Sequence, residues 1–256
     1  MNMILLTATL IFITVGVGYL AFYKNTAKTE NKRDEEHDKT VEEVTVVEPD
    51  HPIPFGYKTV WLAIKTEDTQ FVADVLRLKN LKAENWSGGL NQVYKNHDHA
   101  VFVAPPVAGW TLVIGFPLGS FGPEESDIND KFLNFLTSIG KKIPDFYCFG
   151  THRVSDYNSW VIIKDGSIER AYGSCGAETC VNIGEKTTAE IELGLNFFDA
   201  SSKEAEEDEN YYDRKDLRFP DEEDVINISS KWTTINTMEL DQYPASTSLG
   251  ILGEMK

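Results

Sequence analysis

Hydrophobic and polar positions divide the chain into three unequal parts. Met3 to Tyr23, MILLTATLIFITVGVGYLAFY, carries no charged side chain. About 20 apolar residues in a helix cross the roughly 30 Å hydrocarbon core of a bilayer, so the run predicts a membrane-spanning helix. No Lys or Arg precedes it and it ends in bulky YLAFY, unlike a cleaved signal peptide with its basic start and small-residue cleavage site. From Asn25 to Pro54 the chain is charged and free of Phe, Tyr and Trp, the composition of a solvated linker. Apolar periodicity returns at Phe55. The expected organisation is an anchor at 1–24, a linker at 25–54 and one globular domain at 55–256.

Within that domain the period switches between two and 3.6. TVWLAIKT has the β-branched and aromatic make-up of a strand. EDTQFVADVLRLKN places Phe71, Val72, Val75, Leu76 and Leu78 at helical spacing, with Asp68 or Thr69 as N-cap. NWSGGLNQVY reads as a short helix after a glycine-rich turn. HAVFVAPPVAGWTLVIGF gives two strands joined around Pro105, Pro106 and Gly109. SDINDKFLNFLTSIGKK is amphipathic, with Ile128, Phe132, Phe135, Leu136 and Ile139 on one stripe and Ser126 or Asp127 as cap. FYCFGTHRV, SWVIIKDGSIERAYG and CVNIGE predict an antiparallel meander, its Asp-Gly pair at 165–166 marking a two-residue hairpin turn. Two more helices are expected, in KTTAEIELGLNFF capped by Thr187 or Thr188 and in PDEEDVINISSKWT opened by Pro220. Hairpin-linked strands with helices between and after them make an α+β fold: antiparallel sheet with packed helices, preceded by the transmembrane helix.

Charge narrows the partners. The formal net charge is −17, which argues against a phosphate-binding surface for nucleic acid and against docking on anionic headgroups, and suits a basic protein partner or simply a well-solvated surface. The positive residues near the anchor (Lys24, Lys28, Lys32, Arg33 and Lys39) all follow it. The positive-inside rule therefore puts the globular domain in the cytoplasm; the opposite topology, with the domain in the periplasm, is the alternative. Three cysteines are too few for a disulfide scaffold. Cys175 and Cys180 flank GAET and face each other across a hairpin, able to pair in an oxidising compartment and to stay thiols in a reducing one. Cys148 reads as a small core residue.

Candidate chemistry concentrates in YCFGTHRVSDYNSWVII, residues 147–163. As one continuous strand, 147–157 would place Cys148 and His152, and His152 and Asp156, about 13 Å apart on a shared face, whereas a nucleophile and its base must approach within about 3 Å. No local dyad forms, and no catalytic residue is assigned. If the domain is an enzyme, its site is assembled in three dimensions from His152, Arg153, Asp156, Tyr157 and Glu169. His97 and His99 share a strand face in HDH, but a zinc site needs at least three protein ligands and no third is evident, so no metal is assigned. Neither a phosphate-binding glycine loop nor a GxSxG, HExxH or EF-hand pattern occurs, and no cofactor is expected.

The most unusual stretch is Asp199 to Asp224, with 12 acidic residues against 4 basic ones and a net charge of −8. Rings are interleaved with the carboxylates, which suits an interface to a basic surface. The expected partner-binding residues are Glu206, Glu207, Asp208, Glu209, Tyr211, Tyr212 and Phe219. The pieces WLAIKT, VFVAPPVAGWTLVIG, FGTHRV, ERAY, LGLNFFD and FPDEEDV resemble a group of bacterial proteins with no activity attached to them. That resemblance implies that residues 60–252 form one domain, to which the anchor and linker were added. The functional expectation is a single-pass protein of the bacterial inner membrane whose domain binds a protein. One version is an immunity-type protein neutralising a toxin through its acidic surface. The alternatives are the enzyme built around His152 and a structural or regulatory envelope protein.

Overall fold

The computed structural model describes residues 46–122 and 126–255. The expected membrane helix and the linker up to residue 45 lie outside the described residues, as do residues 123–125; Ser126 and Asp127, expected to cap the helix that follows, are its first two residues. No described helix is long and apolar enough to cross a membrane.

The longest apolar runs become strands buried on both faces. β1 (Lys58–Ile64) turns Val60, Leu62 and Ile64 to one side and Trp61 and Ala63 to the other, all buried. β3 (Ala100–Val103), β4 (Thr111–Ile114), β5 (Phe146–His152) and β6 (Tyr157–Lys164) are built alike, and β7 (Ser167–Cys175) and β8 (Glu178–Ile183) complete the meander. With β2 (Lys79–Glu84) and β9 (Gly250–Glu254) they form one antiparallel sheet of nine strands, ordered β2-β9-β3-β4-β1-β5-β6-β7-β8. An antiparallel sheet commonly leaves one face to water; here helices cover both. α1 (Thr69–Val75) and α3 (Ser126–Gly140) bury Val72, Phe132, Leu136 and Ile139 on the Leu62 side. α2 (Trp86–Lys95) and α6 (Glu222–Thr233) bury Trp86, Leu90, Val225 and Ile228 on the Trp61 side. Two short helices, α4 (Thr188–Glu192) and α5 (Lys203–Glu207), lie between β8 and α6 in the chain.

One register row crosses four strands as Trp61–Phe149–Trp160–Tyr172. Trp61 stacks on Phe149 at 5.3 Å and Trp160 on Tyr172 at 4.6 Å between centroids. Cross-strand aromatic pairs of this kind each add a few tenths to about 1 kcal/mol, so the row is a rigid floor for whatever sits on its flanks.

Four local expectations are corrected. The helix expected over residues 67–80 stops at Val75, because Arg77 and Asn80 take left-handed backbone with φ of 55° and 53°. The chain then turns into β2, whose KNLKAE is solvent-exposed and has no apolar period. The glycines of NWSGGL lie inside α2 rather than before it: Asn85 caps the helix, and Gly89 allows it to close on Phe102, whose ring would lie 2.5 Å from a Cβ there. The helix in KTTAEIELGLNFF covers only Thr188–Glu192, with Thr187 and Glu190 forming a capping box. Finally, the compact unit begins at Val47 rather than Phe55. Asp50 accepts hydrogen bonds from the Trp86 and Ser87 amides at 2.7 and 3.0 Å, which fixes the last part of the expected linker to the start of α2.

Candidate functional site

The catalytic-looking stretch is a hairpin, not one strand. β5 ends at His152, Arg153 to Asp156 turn, and β6 starts at Tyr157, directly opposite His152. Asp156 sits in the turn with φ of 47°, and its carbonyl accepts from the Gly176 amide at 3.0 Å. The turn disperses the candidate residues. His152 Nδ1 lies 3.1 Å from Ser155 Oγ. Arg153 instead lies over the Tyr57 ring at 4.5 Å and pairs with Glu222 on α6 at 2.8 Å. Tyr157 is buried; its hydroxyl accepts from the Phe121 amide at 3.2 Å and shares a hydrogen bond with Ser159 at 2.7 Å, and burial pushes its phenol up. Glu169 is near the opposite end of the strands, paired with Lys164 at 3.0 Å.

Two of the five candidates, His152 and Tyr157, nevertheless meet at a cavity of about 520 Å³. It is lined by His152, Ser155, Tyr157 and Cys175, with Phe116 and Phe121 among its apolar walls. The cavity was hidden in the sequence because its walls come from β1, β5, β6, β7 and the turn after β4. Among the described residues no carboxylate contacts the His152 ring, so imidazole and hydroxyl are present without the third group that would orient a base. His97 to His99 lie in a turn between α2 and β3, so the shared strand face expected for the two imidazoles does not exist. Among the described residues no three His, Cys, Asp or Glu side chains converge as metal ligands.

The most ionic buried site was also unrecognised. Arg170 on β7 and Glu190 on α4 are 2% and 1% exposed and 2.8 Å apart. Glu190 Oε1 also accepts from Trp160 Nε1 at 3.0 Å, and Oε2 accepts from the Thr187 amide and hydroxyl at 2.8 and 2.9 Å. Arg170 donates further to Asn182 Oδ1 and the Ile183 carbonyl. Burial opposes ionisation of Glu190, but donors from Arg170, Thr187 and Trp160 outweigh it and hold the carboxyl below its ordinary value. With both ions saturated, this cluster ties β6, β7, β8 and α4 together and has no group left over for chemistry. The T-x-x-E pattern at Thr187–Glu190 was the available sequence signal.

The acidic segment folds as a ledge along the β8 edge. The Asp199 amide donates to Tyr211 Oη at 2.8 Å, and the Ala200 amide to the Ala177 carbonyl at 3.0 Å. Phe198 anchors it, with Tyr211, Tyr212 and Phe219 at 5.5, 5.5 and 5.1 Å between centroids. Tyr211 is 3% exposed and therefore supports the ledge from beneath, which removes it from the expected contact surface. Tyr212 and Phe219 are 53% and 48% exposed. The charges divide in the same way. Arg214 pairs with Glu204 and Asp216, and Arg218 with Asp224. Glu206, Glu207, Asp208 and Glu209 are exposed and make no ion pair among the described residues. No protein-family model matches the chain, and no curated protein or solved structure matches it.

Proposed function

We propose that the domain binds a basic protein through the ledge formed by Glu206–Glu209, Tyr212 and Phe219. In this reading residues 3–23 hold the domain at a bacterial inner membrane, on the cytoplasmic side, and the partner is neutralised as an immunity-type protein neutralises a toxin, by being covered. The observation that carries the reading is the coincidence of four consecutive unpaired carboxylates with two half-exposed rings on a segment pinned to the sheet. Carboxylates steer a basic partner and set its on-rate. Aromatic side chains supply contact energy at low entropy cost. Pinning reduces the ordering cost that a disordered acidic tail would bear on binding.

The test uses the full-length chain as bait in native lysate, beside a variant carrying E206K, E207K and D208K and another carrying Y212A and F219A. The expected outcome is one partner retained by the wild type, lost by both variants and released as salt is raised. Equal capture by all three baits would sink the reading. The cavity at His152 favours a second reading, a catalyst of unassigned class. A turnover that H152A abolishes while partner capture survives would decide for it.

A further inference from the structure

We propose that Cys175 and Cys180 are a reversible dithiol–disulfide pair that locks the β7–β8 hairpin to the base of the acidic ledge. The two residues close the ends of a hairpin whose turn is Gly176–Ala177, with Cys175 opposite Glu178. Regular pairing would continue one residue for one, but the register shifts between Gly173 and Ser174, so that Thr179 opposes Ser174 and Val181 opposes Gly173. Cys180 is the extra residue of that bulge. The bulge keeps it on the same sheet face as Cys175, where both pack against the Leu62-side core. Their sulfurs are 2.7 Å apart, with the Cys180 thiol donating to Cys175 Sγ.

The two thiols are placed differently, and Cys175 is the one that lines the His152 cavity. The hydrogen bond from Cys180 draws the Cys175 thiol below its ordinary value, while Cys180 is held as the protonated partner. The cavity gives a small disulfide a path to the Cys175 sulfur. The third cysteine, Cys148, is fully buried, and burial pushes its thiol up, so it stands outside the reaction.

The oxidant is a disulfide, RSSR, of the glutathione class. The Cys175 thiolate attacks one sulfur, forming a mixed disulfide and expelling one RS⁻. Cys180 then loses its proton and attacks Cys175 Sγ, expelling the second RS⁻. Two protein thiols are oxidised by two electrons, RSSR is reduced to two RSH, and the two protein protons end on the leaving thiolates.

The bond would reach the ledge through two contacts inside the same hairpin. The Ala177 carbonyl holds the Ala200 amide, and the Thr179 amide donates to Asp199 Oδ1 at 3.3 Å. Fixing Cys180 to Cys175 fixes both anchor points of the segment that begins at Asp199. The disulfide stands or falls independently of whether the ledge binds a protein.

The test equilibrates the full-length chain in glutathione buffers of rising oxidised fraction, quenches with acid and alkylates with N-ethylmaleimide before intact-mass and peptide analysis. The expected result is loss of two hydrogens per chain in a single step, with Cys148 labelled only after denaturation. In C175S and C180S the two-hydrogen loss disappears and the remaining cysteine of the pair takes up glutathione. Amide exchange at Thr179 and Ala200 should slow at least several-fold in the oxidised chain. Alkylation of both cysteines at the most oxidising ratio, or glutathione adducts or linked dimers in place of the internal bond, would overturn the pair. Exchange at Thr179 and Ala200 indifferent to oxidation would overturn the lock.

Discussion

The chain carries two concentrations of charge, and they are opposites. Around Arg170 and Glu190 a cation and a carboxylate are excluded from water and every polar atom of the carboxylate is engaged. Along Glu206–Glu209 four carboxylates stand in solvent and make no ion pair among the described residues. The first arrangement specifies the fold, because a buried ion is tolerated only where its partners are in place. The second adds nothing to the fold and costs little, since exposed charges interact weakly. Charge with no structural use, displayed on a rigid support beside exposed rings, is what a recognition surface requires.

This contrast can be tested most severely in the buried cluster. Replacing one member, R170M or E190Q, should cost roughly 3–5 kcal/mol, because the surviving group is left buried without its partner. Urea unfolding monitored by tryptophan fluorescence measures it, and a joint R170M/E190L replacement should recover most of the loss. A single replacement that cost no more than a surface change would erase the distinction between the two regions.

Acid should separate the regions next. The Glu190 carboxyl is depressed in the folded chain, so its stabilisation is complete above the ordinary glutamate value of about 4.3. It is lost as pH falls further, through the folded-state value. The urea midpoint of the wild type should drop over that acidic window, and the part of the drop due to Glu190 should be missing in E190Q. Within the ledge, Y211F removes the acceptor for the Asp199 amide and should cost about 1 kcal/mol. Y212A should stay within about 0.5 kcal/mol of wild type, although it removes a larger group. The smallest effect on stability is expected from E206K/E207K/D208K, also within about 0.5 kcal/mol. The same variant should slow association with the partner most at low salt, which stopped-flow or surface-binding kinetics would read.

The central strands were legible because burial on both faces leaves an unmistakable apolar run, as in Val60 to Ile64 and Val101 to Val103. Turns were legible where one residue pair dictates the backbone: Asp165 and Gly166 take φ of 50° and 75°, as the Asp-Gly signal required. β2 escaped because an exposed edge strand has no hydrophobic alternation to display. β9 escaped because Gly250 and Gly253 break its pattern; a Cβ at Gly250 would lie 2.5 Å from the Val103 carbonyl, so the glycine is there to let strands approach. The acidic surface was visible as composition, but which ring faces water and which faces the core was not. Tyr211 and Tyr212 are neighbours with opposite fates, decided by Phe198 and the Asp199 amide. The His152 cavity had no linear trace at all, since its walls come from residues 59–60, 116–121, 151–157 and 175–176, which only the folded sheet brings together.

β9 pairs with β2 through Lys79–Glu84 and with β3 through Ala100–Val103, although it follows both by most of the length of the domain. During synthesis, the β2 and β3 edges therefore wait unzipped until Glu254 has emerged. Such late, long-range closure slows folding and leaves two sticky margins exposed on the nascent chain.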